Sequence, residues 1–161
     1  MNKNLYKIFF DEFNQIETNI CFDIPGKRQW SYKEIDNLSS LFASYLKSIG
    51  LKKGDRIISQ TEKSVASIGL YLACLRTGII YTPLNTSYTL KEVEYFIENI
   101  QPKLFVCTPD KMDSISLVCK KLNIPNYQSL GKSDEDPFLK EILKFKQSNV
   151  FENCEENDTA A

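Results

Sequence analysis

The sequence predicts an α/β fold, a doubly wound, mostly parallel sheet flanked by helices. Segments with helical spacing of apolar residues alternate with short β-branched or apolar runs, and the connections between them are short and rich in turn residues. The run Leu104-Phe105-Val106-Cys107 is apolar throughout, as a strand covered on both faces requires. Strand, helix and parallel strand in succession imply right-handed crossovers.

The first clear element is a helix from about Tyr32 to Ile49. Ile35, Leu38, Phe42, Tyr45, Leu46 and Ile49 recur on one face, Ser31-Tyr32-Lys33-Glu34 has the form of a capping box, and Gly50 supplies a left-handed stop. Lys52-Lys53-Gly54-Asp55 then turns into a strand, Arg56 to Gln60. Ser64 to Leu75 is apolar almost all round, which predicts a helix buried between other elements and ending at Arg76-Thr77-Gly78. Ile79 to Thr82 reads as a short strand closed by Pro83, which cannot donate to a ladder. A second capping box, Thr89-Leu90-Lys91-Glu92, opens a helix with Leu90, Val93, Phe96 and Ile97 on one face, and Gln101-Pro102 ends it. Strand Leu104 to Cys107, helix Met112 to Leu122, a weaker strand Asn126 to Ser129 and a helical stretch Phe138 to Phe145 complete the series. Between the last two lies the polar turn Gly131 to Pro137. In Met1 to Phe13 the apolar stretch Ile8-Phe9-Phe10 is closed at once by Asp11 and Glu12, too short for a signal peptide or a membrane span.

Composition sets the bounds on function. The chain has 161 residues, 42% hydrophobic and 25% charged, which fits one globular α/β domain or a large piece of one. With 20 Lys and Arg against 21 Asp and Glu, the formal charge of -1 offers no basic excess for nucleic acid or an anionic membrane. The five cysteines are widely spaced with no C-x-x-C pair, which excludes a zinc ribbon or a dithiol couple and suits a reducing, cytoplasmic setting. There is no histidine, so the segment has neither the commonest general base nor the commonest metal ligand. Neither G-x-x-x-x-G-K-[ST] nor G-x-G-x-x-G occurs, and there are six glycines in all.

Four blocks in order carry a resemblance: Trp30-Ser31-Tyr32-Lys33-Glu34-Ile35-Asp36, Gly50-Leu51-Lys52-Lys53-Gly54-Asp55-Arg56-Ile57, Tyr71-Leu72-Ala73-Cys74-Leu75-Arg76-Thr77-Gly78 and Tyr81-Thr82-Pro83-Leu84-Asn85. Together they resemble the N-terminal region of the adenylate-forming acyl-CoA synthetases, the AMP-dependent synthetase/ligase family. Within it, Gln60-Thr61-Glu62-Lys63-Ser64-Val65, Pro83 to Thr89 and Glu94-Tyr95-Phe96-Ile97 are most similar to the malonyl-CoA synthetase branch, although Ser87 stands where that branch would carry alanine. Asn157 to Ala161 resembles the stretch just upstream of the family's Ser/Thr/Gly-rich phosphate loop. Residues 1–161 would then be part of an N-terminal domain, cut before that loop.

The resemblance implies an ATP-dependent ligase. A carboxylate, malonate in this branch, attacks the α-phosphate of ATP to give an acyl-adenylate and pyrophosphate, and the thiol of CoA displaces AMP. Magnesium is implied with ATP. The family keeps its phosphate and acid ligands on later segments, so no catalytic, cofactor-binding or metal-ligating residue is assigned within this chain, and it is expected to act as scaffold and to bind none of ATP, Mg2+ or CoA alone. Two alternatives stand beside this reading: a ligase for another acid, aromatic or fatty, and a complete, non-catalytic α/β binding module. No nucleic-acid or membrane partner is expected.

Seven residues that invite a functional role also have bland readings. Arg76 could reach a CoA phosphate, as basic residues of this region do in some relatives; capping the helix C-terminus through the macrodipole is favoured. Glu62 and Lys63 could form a substrate-facing pair at a strand's C-terminal edge; a solvated pair at a helix start is favoured. Cys74 lies in an apolar helix that quiets a thiol, and Tyr81, Tyr88 and Tyr95 read as packing aromatics.

Overall fold

A computed structural model describes residues 2–149 and 151–161. Its element order is α1 (Leu5–Phe13), a 3-10 turn (Asn14–Ile16), β1 (Ile20–Asp23), β2 (Gln29–Ser31), α2 (Tyr32–Ser48), β3 (Arg56–Gln60), α3 (Val65–Thr77), β4 (Ile80–Pro83), α4 (Leu90–Ile100), β5 (Leu104–Cys107), a 3-10 turn (Pro109–Lys111), α5 (Met112–Lys121), β6 (Asn126–Ser129) and α6 (Pro137–Ile142).

The local signals produce the elements for the reasons the sequence suggests. At the start of α2 the Glu34 carboxylate accepts from the Ser31 amide at 2.8 Å while Ser31 Oγ accepts from the Glu34 amide at 3.2 Å, so two otherwise orphaned N–H groups are satisfied reciprocally. Thr89 and Glu92 repeat the device on α4. At α3 the same box is closed by Ser64 and Ser67 without a carboxylate. Gly78 ends α3 at φ +66°, where a side chain would be strained and would meet Lys53. The α6 cap is Asp136, which accepts from the amides of Phe138 and Leu139.

The main sheet has order β4-β3-β5-β6 with every pairing parallel. Successive residues of a strand point to opposite faces, and here both faces are covered. Ile57, Leu104 and Val106 join α2 and α3 in one core cluster, while Ile58, Phe105 and Cys107 join α4 and α5 in another. The sheet is therefore doubly wound. Helices α2 and α3 approach so closely that a Cβ placed on Gly69 would stand 2.7 Å from Leu38 Cγ.

The N-terminal portion adds elements to which the sequence reading assigned no structure. The stretch around Ile8-Phe9-Phe10 is part of α1, capped by the Asn4 side chain, and β1 and β2 form an antiparallel ribbon with Phe22 opposite Trp30. Tyr6 is fully buried, so α1 belongs to the core. Strand β4 takes in Pro83 as its last residue, opposite Ser59. The segment after α6 returns to the start of the chain: Lys3 donates to the carbonyl of Cys154 at 2.8 Å, and farther on the Tyr81 amide donates to the carbonyl of Ala160 at 3.0 Å. One edge of β4 is thus touched by the chain's own last residues.

Candidate functional site

Strands β3 and β5 are neighbours, yet the helices that follow them lie on opposite faces of the sheet. A crevice must open beyond their carboxyl ends, and open α/β sheets bind ligands at such a switch point. A groove of about 710 Å³ occupies this place. Its walls come from four strand ends: Glu62 after β3, Thr86 after β4, Thr108 to Lys111 after β5, and Leu130 to Ser133 after β6.

Most of the lining residues are polar or charged. Gln60, the last residue of β3, is fully buried and does not itself line the groove; its Nε2 donates to the Asn85 carbonyl at 2.9 Å and its Oε1 has no protein partner. Thr108, only 7% exposed, lines the groove with an unpartnered Oγ1. Two lysines reach over the rim, Lys111 to the Thr86 carbonyl and Lys132 to Glu62 at 2.5 Å. Asp110, Glu135 and Asp136 also line the groove, so carboxylates outnumber cations. Asp136 is already committed as the α6 cap and as acceptor of the Gly131 amide at 2.8 Å.

This lining does not fit a triphosphate with its metal. One glycine borders the groove, no run of convergent backbone amides faces it, and no group of three metal-ligating side chains exists among the described residues.

The residues singled out in the sequence scatter. Glu62 lines the groove, but Lys63 lines a neighbouring cavity of about 160 Å³ with Trp30 and Lys132, so the two do not act as a pair. Cys74 is fully buried and its thiol is pushed far up by desolvation. Tyr81 packs edge-on against Tyr71 and Tyr88 stacks on Phe96, while Tyr95 is exposed.

Arg76 lies in the last turn of α3, as the favoured reading has it, but its side chain turns into the core. It neither faces solvent nor folds back on its helix end. Its guanidinium, with no exposed surface, is ion-paired with Asp36 and packs against the stacked rings of Tyr6 and Phe151, 4.6 and 4.8 Å from their centroids. It donates to Ser39 Oγ at 3.2 Å and to the Ser148 carbonyl at 3.0 Å. Tyr6 Oη donates to Asp36 at 2.9 Å, and burial, followed by the nearby Asp36 charge, raises the phenol to about 12. The network joins α1, α2, α3 and the segment after α6. Thr108, Lys111 and Lys132 are the groove residues that sequence reasoning missed. Only their position after strand ends marks them.

A family model described as "AMP-binding enzyme" matches residues 12–161. Among solved structures, MatB from Rhodopseudomonas palustris superposes with a TM-score of 0.91 and 33% identity, covering 99% of this chain and 32% of that one. Among curated relatives, the nonribosomal peptide synthetase GRA1 of Gibberella zeae is 34% identical over 93 residues, 55% of this chain and 1% of that protein. The mitochondrial acyl-coenzyme A synthetase ACSM3 of Rattus norvegicus is 30% identical over 129 residues, 76% of this chain and 22% of its own length. This chain spans less than a third of each of these proteins.

Proposed function

The chain belongs to the family of AMP-binding enzymes, and on that footing we propose that it is the N-terminal scaffold of an ATP-dependent acid–CoA ligase, with malonate as the acid. In the reaction a malonate carboxylate oxygen attacks the α-phosphorus of ATP and pyrophosphate leaves; the sulfur of CoA then attacks the acyl carbon of malonyl-adenylate, giving malonyl-CoA and AMP. The observation that carries the reading is the likeness to MatB, a malonyl-CoA synthetase, at 33% identity over 99% of the chain. It is supported by where the branch-like sequences fall. Gln60 to Val65 and Pro83 to Thr89 lie at the carboxyl ends of β3 and β4 and place Glu62 and Thr86 on the switch-point groove.

In this reading the residues here form the sheet and close one wall of the crevice, while the groups that bind phosphate, Mg2+ and the acid come from other segments. The chain alone is inactive and shows no saturable ATP binding. Isothermal calorimetry with ATP and Mg2+ tests that point; a saturable isotherm would remove the scaffold assignment. The protein acts in the cytoplasm, consistent with five unpaired cysteines.

A ligase for a different acid is the second reading, favoured by the match to ACSM3 over 76% of the chain. Pyrophosphate exchange by the longer protein this proposal requires, with malonate, methylmalonate, 4-coumarate and octanoate in parallel, separates the two. Malonate should support the fastest exchange. No response to malonate alongside turnover of octanoate or 4-coumarate would transfer the assignment to the other acid.

A further inference from the structure

We propose that Arg76 is a positioning residue that pins, through Phe151, the register in which residues 152–160 lie against β4. That segment has no helix or strand among its residues and is mostly acid and amide, a composition that by itself favours a loose chain. It is nevertheless tied down at successive points. The Glu152 amide donates to the Arg76 carbonyl at 3.0 Å, Lys53 Nζ donates to the Asn153 carbonyl at 2.9 Å and pairs with Asp158 at 2.6 Å, and Ala160 accepts from the Tyr81 amide.

These ties are unequal. Lys53 and Asp158 are each about a third exposed, and such pairs contribute little on their own. The large apolar anchor is Phe151, partly buried, whose ring lies over the Arg76 guanidinium, stacks on Tyr6 at 6.0 Å and meets Phe10 at 4.9 Å. A fully buried guanidinium packed against two aromatic rings gains more from cation–π attraction than an exposed pair does. Arg76 also sits in the last turn of α3, four residues before β4 begins. The same residue therefore fixes Glu152 through its carbonyl, Phe151 through its side chain, and β4 through the tight Gly78 turn. One rigid point sets the offset between the two segments that meet at Tyr81 and Ala160.

The inference rests on the ligase reading in one respect: the stretch being placed is the one resembling the approach to the family's phosphate loop. Its register would then decide where that loop starts. The proposed test needs no substrate. Residue-resolved amide exchange is measured by NMR on the 161-residue chain, comparing the parent with Phe151→Ala and Phe151→Tyr. In Phe151→Ala the Glu152 and Tyr81 amides should exchange at least about tenfold faster while Ile58 and Val106 in the sheet centre keep their protection, and Phe151→Tyr should restore both. Arg76→Lys, which keeps the charge and loses the flat face, should reproduce the local loss, and it serves as the reading if Phe151→Ala does not fold. Unchanged Tyr81 protection would overturn the proposal, and so would uniform acceleration of all amides, which marks a general loss of stability. A failed pyrophosphate exchange would remove the ligase reading and leave this pin standing, whereas a Tyr81 amide as protected in the variants as in the parent would do the reverse.

Discussion

Arg76 and Asp36, forty residues apart in sequence, form an ion pair in which the guanidinium is wholly buried. Removing one partner of such a pair leaves an uncompensated charge in the interior. Arg76→Ala should therefore lower unfolding free energy by about 3 kcal/mol, read from urea denaturation. Asp36→Asn should also destabilise strongly, because Tyr6 and Ser39 cannot neutralise the guanidinium that remains.

Gly69→Ala sets two effects against each other. Alanine favours a helix by roughly 0.5–1 kcal/mol, but its Cβ would stand 2.7 Å from Leu38 Cγ and 2.8 Å from Leu38 Cδ2 in a close-packed interface. Overpacking of this kind costs about 1–3 kcal/mol, so net destabilisation is expected. Combining it with Leu38→Ala should cost less than the two single changes added together, since the second removes the atoms the first strikes.

Acid should loosen α2 through its capping box. The Ser31 amide hydrogen bond holds the Glu34 carboxyl below its ordinary value. A depressed folded-state value means the contribution is fully present above the unfolded glutamate range near pH ~4.3 and is lost as pH falls through the lower folded value. Glu34→Gln should flatten this part of a stability–pH profile measured between pH 2 and 7 by thermal unfolding followed by circular dichroism. A Glu34→Gln profile as steep as the parent's would place the acid sensitivity elsewhere.

Native-state alkylation should discriminate the thiols. Cys21 and Cys154 are half-buried, whereas Cys74, Cys107 and Cys119 are buried. Burial pushes Cys107 up to about 12 and Cys119 to about 11. N-ethylmaleimide at pH 8 followed by peptide mapping should label Cys21 and Cys154 first and reach Cys74 only after unfolding. Early labelling of Cys74 would contradict its place in the core.

Much of the fold was legible because its signals are local. The boxes at Ser31 and Thr89, the left-handed Gly50 and Gly78, and the apolar run from Leu104 to Cys107 each specify an element within a few residues. The β1–β2 ribbon was not, since β1 shows no clean alternation and its pairing depends on a turn at Gly26, φ +73°. Helix α1 escaped because its stability comes from Tyr6 and Phe10 meeting residues almost at the other end of the chain. The groove was half-visible. Glu62 was singled out, but Thr108, Lys111 and Lys132 converge only because the strand order reverses between β3 and β5, a property of topology with no mark in the local sequence.

The hydrogen bond from Lys3 to Cys154 also dictates an order of events. A chain emerging from the ribosome has Lys3, Tyr6 and Arg76 long before Phe151 exists, so the sheet centre can assemble while one side of the guanidinium still faces water. Among the contacts of these residues, closing residues 3–10 onto 151–154 requires the largest loop, and loop-closure entropy makes it the expected late step. Variants that weaken this closure should leave the sheet formed yet prolong the interval in which Leu5 and Ile8, already exposed on α1, are joined by Phe10 as sticky surface.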